Sequence, residues 1–192
     1  MSNLVITPIG YHHNLEGLAK QIIQSLPGIG SYRLAEIVGL NDLIFTDSER
    51  WEFNERSRIV LDDDKIIRYL SEQKCKGELN LGITRYPTNL TLFVDMPGNS
   101  DPEQRVAWVS TWLEAFTGEH AQKLTACVAV HELAHLLAEV EHHIEETLGD
   151  DGTVCPMYIP LPEYLTGESS GGILSRIGIK FCNACESILN RA

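Results

Sequence analysis

His131-Glu132-Leu133-Ala134-His135 reads H-E-x-x-H. On a helix, positions four apart lie on one face a turn from each other. Both imidazoles can therefore reach one zinc ion through bonds of about 2.0–2.1 Å. Glu132, beside His131, then stands where it can act as general base on water activated by that ion. Ala126 to Val130 is wholly apolar, and Leu136-Leu137 continues the run. Three ionisable side chains in such a segment are costly unless a metal or hydrogen bonds satisfy them. The plainer alternative is a solvated helix face that happens to carry two histidines and a glutamate.

A second set lies in the C-terminal third. Cys155, Cys182 and Cys185 fall within 31 residues, and Cys182-Asn-Ala-Cys185 has the C-x-x-C spacing of zinc knuckles. C-x-x-C alone also suits a redox pair, but no strand-turn-helix context is evident around it. Three cysteines with His142 and His143 nearby fit a four-ligand zinc site better than a set of buried thiols. Cys75 and Cys127 have no such company and read as packing residues.

The elements that must position these groups can be read coarsely. Leu4–Ile9 reads as a strand, and Leu15–Leu26 has helical spacing at Leu15, Leu18, Ile22 and Leu26, stopped by Pro27-Gly28. Leu34–Leu40 suggests a second strand. Asp62-Asp63-Asp64 suits a helix start running through Ile66, Ile67 and Leu70, since acids favour a helix N-terminus. Glu78–Thr84, Leu90–Val94 and Val106–Thr111 read as strands. Gly118 to about His143 has helical periodicity, residues 149–176 read as an irregular loop region, and the chain ends in a short apolar tail at Ile188-Leu189. The order of strands and helices in the first 117 residues predicts an α/β lobe.

With 192 residues, 43% of them hydrophobic, the chain is long enough for one domain with a real core. A formal net charge of -12 disfavours nucleic acid and anionic membranes, both polyanions, as partners. No apolar run approaches the roughly 20 residues of a membrane span, and residues 1–26 lack an uninterrupted apolar signal region. The expectation is a cytoplasmic protein whose cysteines are thiols or metal ligands.

These motifs resemble the metzincin clan of zinc peptidases, and within it the archaemetzincins. That family shows H-E-x-x-H-x-x-G-x-x-H-C, then C-x-M, then a terminal C-x-x-C. Here His131-Glu132-x-x-His135, Cys155-Pro156-Met157 and Cys182-x-x-Cys185 stand in that order, with weaker echoes in Pro8-Ile9-Gly10, Leu81-Gly82-Ile83-Thr84 and Val109-Ser110. The resemblance implies a metzincin-like α/β fold: an N-terminal mixed sheet with helices, a central active-site helix and a small irregular C-terminal lobe. The whole chain would be a single catalytic domain, with an upper lobe over 1–135 and a zinc-stapled lower lobe over 136–192. It implies peptide or protein substrates and two zinc ions, one catalytic on His131 and His135 with Glu132 as base, one structural on Cys155, Cys182 and Cys185. Met157 would form the floor beneath the catalytic metal. Tyr158 and Tyr164 are candidates, by position alone, for steadying the reacting oxygen.

The sequence departs from the family where the third ligand belongs. The family glycine falls on Ala138, its third histidine on Glu141, and its cysteine on His142. Three arrangements follow. The helix breaks near Ala138, His142 becomes the third ligand and His143 joins the cysteines. Or Glu141 is the third ligand and His142 joins the cysteines. Or the helix runs on through Glu146, which puts His142 about 16 Å along the axis from His131 and leaves the catalytic zinc weak, absent or completed by an acid such as Glu163 or Glu168. The first is preferred, because the adjacent His-His pair mimics the family's His-Cys with one residue inserted. The last would make the protein a lapsed peptidase that binds peptides or a partner. A left-handed bend at Ala138 would carry a steric cost of about 1–2 kcal/mol, which predicts a loosely held catalytic ion.

Overall fold

The structure is a computed structural model that describes residues 1–10, 15–44, 59–89, 97–111, 121–138, 140–143, 146–149, 151–158, 176 and 178–191. In chain order its elements are β1 (Ser2–Ile9), α1 (Leu15–Ser25), β2 (Ile29–Leu34), α2 (Asp63–Gln73), β3 (Glu78–Thr84), β4 (Gly98–Asp101), β5 (Val106–Ser110), α3 (Ala121–Ala138) and α4 (Asn183–Leu189). The strands make one mixed sheet in the order β2-β1-β3-β5-β4. β1, β2, β3 and β5 are parallel, and β4 pairs antiparallel with β5 at the edge.

The central strands are buried on both faces, which is why they read as near-continuous apolar runs. Leu4, Ile6, Leu79, Leu81, Ala107 and Val109 pack with α1 and α3. Ile9, Val106 and Trp108 face the other way, onto Ile66, Ile67 and Leu70 of α2. α2 begins as its acids predict: the Asp62 side chain accepts from the Lys65 amide at 3.1 Å and caps the helix. α3 is buried around nearly its whole circumference, from Leu124 to Ala134 without interruption. It packs on β4 and β5 on one side and touches α1 and α4 on others.

The structure moves several expected elements. The second strand is Ile29–Leu34, not Leu34–Leu40; of the latter, Val38 makes an isolated bridge to Ile9. β2 lies at the sheet's other edge and buries one of its six residues, so it carries little apolar signal. The long helix ends at Ala138, and residues 140–143 are not helical. Val140 is buried in the core there. The apolar tail is the helix α4, with Leu189 buried. β4, Gly-Asn-Ser-Asp, was not foreseen at all. Cys75 is exposed, so it does no packing, whereas Cys127 is buried. The stretches 90–94, 112–120 and 159–175 lie outside the described residues.

β4 and α3 approach each other closely at Gly98. A Cβ there would stand 2.9 Å from the Trp108 carbonyl oxygen, 2.9 Å from Val128 Cγ1 and 3.1 Å from Glu132 Cγ. The carbonyl belongs to the β4–β5 ladder and cannot yield alone. Gly98→Ala is therefore expected to cost about 1–3 kcal/mol through overpacking. It should show as a lower urea midpoint with an unchanged slope. Parent-like stability would disprove the close approach.

Candidate metal centres

α3 supplies His131 and His135 from one face, as their four-residue spacing requires, and the coil after it returns His142. The three Nε2 atoms form a nearly equilateral triangle. His131 to His135 is 3.1 Å, His135 to His142 is 3.0 Å, and His142 to His131 is 3.0 Å. A zinc tetrahedron with bonds of about 2.0–2.1 Å has edges of about 3.3–3.4 Å. The triangle is slightly tighter, and one ion set above its plane would meet all three atoms. His131 Nδ1 lies 2.8 Å from the Pro156 carbonyl oxygen, to which it donates. That fixes the ring and leaves its Nε2 lone pair facing the other two. His135 is held likewise by the Val140 backbone.

Burial favours the neutral, metal-binding form of His131 and His135. Burial pushes the His131 pKa down to about 3, with His135 and His142 adding to the effect. Burial lowers His135 too, and His142 adds to this. Glu132, 6% exposed, stands beside the set. Burial pushes its carboxyl up to about 7, Asp63 adds to this, and a hydrogen bond from Ser100 opposes it. A carboxylate with a pKa near neutrality is suited to exchanging protons with a substrate.

The other set gathers His143, Cys155, Cys182 and Cys185, whose ligand atoms all lie within 4.8 Å of one another. His143 Nε2 is 3.3 Å from Cys182 Sγ and 3.2 Å from Cys185 Sγ, and Cys155 Sγ is 4.0 Å from Cys185 Sγ. A tetrahedron with zinc–sulfur bonds of about 2.3 Å has edges of about 3.8 Å, so this donor set fits a closed zinc site. Local turns deliver the ligands. Gly152, at φ +75°, lets a hairpin close: the Gly149 amide donates to the Thr153 carbonyl at 2.7 Å, and the Cys155 amide to the Thr147 carbonyl at 2.8 Å. Cys182 is the N-cap of α4. Burial works to raise its thiol, but the backbone amides of Cys185 and Ala184 and the neighbouring thiols outweigh it, and the pKa is lowered. Burial raises Cys155 and Cys185. Three thiolates can coexist here only with a cation among them.

His131, His135 and His142 come together in one set and His143, Cys155, Cys182 and Cys185 in the other. Glu141 is exposed and belongs to neither, so the arrangement with Glu141 as third ligand is not formed. The unbroken helix is not formed either. Among the described residues, Arg105 is the sole non-glycine with a positive φ, so Ala138 itself is not left-handed and the cost is not incurred at that position. Glu163, Glu168 and Tyr164 lie outside the described residues. Met157 is fully buried in the core.

Sequence reasoning missed the support behind Glu132. Asp63 accepts from Trp108 Nε1 and, at 3.2 Å, from Asn99 Nδ2, while its amide donates to Asn89 Oδ1 at 2.8 Å. This ties α2, β5 and β4 together on the far face of the sheet. The near face of β4 brings Gly98 and Ser100 to Glu132. Asp63 read only as part of a helix start, and a four-residue edge strand gave no periodicity to find it by.

The fold has counterparts among solved structures. It is similar to the crystal structure of an archaemetzincin from Methanopyrus kandleri, at a TM-score of 0.66 and 15% identity over 99% of this chain and 94% of that one. It is similar also to an archaemetzincin from Archaeoglobus fulgidus solved with malonate, at 0.61 and 16% over 96% and 98%. A zinc-dependent peptidase from Methanocorpusculum labreanum matches at 0.58 and 18%, over 97% and 100%. At these identities the likeness is one of fold: this chain has the archaemetzincin fold over nearly its whole length. No family model and no curated protein matches the sequence.

Glu132 also carries a pH signature. Its folded pKa, about 7, lies above its ordinary 4.5. As pH rises, the unfolded chain loses this proton first, so the group's contribution to stability is intact below about pH 4.5 and lost by about pH 7. Glu132→Gln stays neutral throughout. With no metal on the histidines, that variant is expected to be more stable than the parent at pH 8, by on the order of 3 kcal/mol, and about equal near pH 4. Denaturant unfolding at the two pH values measures this, and an equal gain at both would rule out a buried proton on Glu132.

Proposed function

We propose that this chain is a zinc-dependent peptidase of the archaemetzincin kind, a single catalytic domain with the active-site helix closing its upper part over 1–135 and a zinc-stapled lower part over 136–192. One observation carries the reading: three histidine Nε2 atoms converge within 3.1 Å of one another beside a buried glutamate. His131, His135 and His142 would hold a catalytic zinc, and His143, Cys155, Cys182 and Cys185 a structural one.

When bound, the catalytic zinc would supply Lewis-acid activation of water and of the scissile carbonyl. The chain's own residues do the rest. Three protein ligands leave an open position, as a catalytic site needs. Glu132 takes a proton from the attacking water as the oxygen–carbon bond forms. It returns that proton to the amine nitrogen as the carbon–nitrogen bond breaks. Ser100, hydrogen-bonded to the Glu132 carboxyl, orients it for both transfers. Among the described residues β4 pairs with β5 alone, and its other edge is where an extended peptide would add as a strand. The charge of -12 favours peptide or protein substrates over nucleic acid or anionic membranes. Among the described residues no helix is long and apolar enough to cross a membrane, in keeping with a cytoplasmic enzyme.

Glu132→Gln is expected to abolish hydrolysis of a generic peptide substrate while two zinc equivalents remain bound. The amide keeps the size of the acid but cannot accept the proton. Retained turnover in that variant would refute the general-base role. A wild-type protein with one zinc and no hydrolysis would make it the lapsed peptidase instead.

The two ions should also separate. In a chelator titration the ion on three histidines is expected to leave before the one held by three thiolates and a histidine, taking activity with it while far-UV dichroism persists. Simultaneous loss, or loss of the cysteine-bound ion first, would overturn that ranking.

A further inference from the structure

His142 and His143 are neighbours in sequence, yet their rings enter different donor sets. The segment that carries them, 140–143, has no helix or strand to hold it, and His142 is exposed. Its position is set by its two flanks. On one side Val140 is 2% exposed in the core, and its backbone bonds to His135. On the other side the His143 amide donates to the Met157 carbonyl at 3.0 Å, and the His143 ring sits against Cys182 and Cys185.

The turn over 155–158 closes the connection. The Tyr158 amide donates to the Cys155 carbonyl at 3.0 Å. Cys155 gives its sulfur to the thiol set. The Pro156 carbonyl orients the His131 ring at 2.8 Å. The Met157 carbonyl holds the His143 backbone. Three consecutive residues thus serve both sets.

We infer that the cysteine-rich cluster is a positioning device for the histidine set: an ion on His143, Cys155, Cys182 and Cys185 raises the affinity of His131, His135 and His142 for theirs. The inference rests on the reading that both sets bind metal. α3 places the backbones of His131 and His135 whatever the cluster holds, while the His131 ring takes its orientation from the Pro156 carbonyl of the same turn. His142 is the ligand that must be ordered. An ion in the cluster pins His143 and the turn, so the histidine set binds without ordering them itself. By linkage, an ion on the histidines raises the cluster's affinity by the same factor. His143 and Cys155 are positioning residues in this scheme and touch no substrate.

The test uses the full chain carrying one equivalent of Cd2+, which the soft thiolates take, titrated with Co2+ and followed by the d–d absorption of the histidine set. His143→Ala is expected to bind Co2+ at least ten-fold more weakly than the parent, approaching His142→Ala, which lacks the third ligand outright. His143→Cys, which restores a fourth cluster ligand, is expected to return to within three-fold of the parent. A mutation-free arm covers the case in which His143→Ala fails to fold: a mercurial that ejects the Cd2+ should weaken Co2+ binding in the parent by a similar factor. Co2+ affinity in His143→Ala within three-fold of the parent, or unchanged after the mercurial, overturns the inference and leaves the peptidase reading standing. If the parent's histidines bind no Co2+ at all, both fall.

Discussion

A helix buried on nearly every side carries two histidines and a glutamate at its middle, and the structure around it is arranged to meet what those groups need. Burying an unpaired polar group costs more than most single contacts return. Each of the three therefore has a specific answer. The Pro156 carbonyl takes the His131 Nδ1 proton, the Val140 backbone holds His135, and Ser100 bonds to Glu132. These partners come from three separate parts of the chain. The turn at 155–158, the exit from α3 and the edge strand β4 must all be in place before the helix is satisfied. The inward lone pairs of the histidines are what remain, and a cation is the partner that three converging acceptors share.

The same demand explains the far side of the sheet. β4 is four residues long and, among the described residues, pairs with one neighbour, which alone makes a weak element. Asn99 pins it from behind to Asp63, which also takes the Trp108 indole proton. Burial raises the Asp63 carboxyl pKa, against the lowering effect of those two donors. An acid in that position ties the strand it holds to α2 and β5. The strand carries Gly98, which admits Glu132, and Ser100, which bonds to it.

The legible parts of the sequence were those whose signal is local. β1, α1, α2, β3 and β5 show in apolar runs or helical spacing because each buries its own pattern against the core. H-E-x-x-H and the cysteine spacing show because ligand geometry is set by positions a turn or a knuckle apart. What stayed hidden depends on distant partners. β2 is an edge strand with one buried residue, and β4 owes its place to Asp63, 36 residues away. The end of α3 at Ala138 has no stop signal in its own sequence. Val140 entering the core and His143 meeting the cysteines, contacts made far along the chain, are what draw it out of the helix. The two sequence arrangements that failed, Glu141 as ligand and a helix running through Glu146, both rested on local propensity alone.

That exit also bears on where the sequence differs from the archaemetzincin motif it resembles. With one residue inserted before the third histidine, the neighbour that meets the cysteines is His143 rather than a cysteine. Loaded with a divalent ion, three thiolates and a neutral imidazole carry one net negative charge, whereas four thiolates would carry two. The cluster adjoins a buried glutamate's helix in a chain already at -12, and less negative charge there costs less to bury. Histidine reaches farther from the backbone than cysteine does, which lets a longer segment after Ala138 still deliver its ligand to the sulfurs. Insertion and substitution thus offset each other, and together they leave His142 free to face His131 and His135.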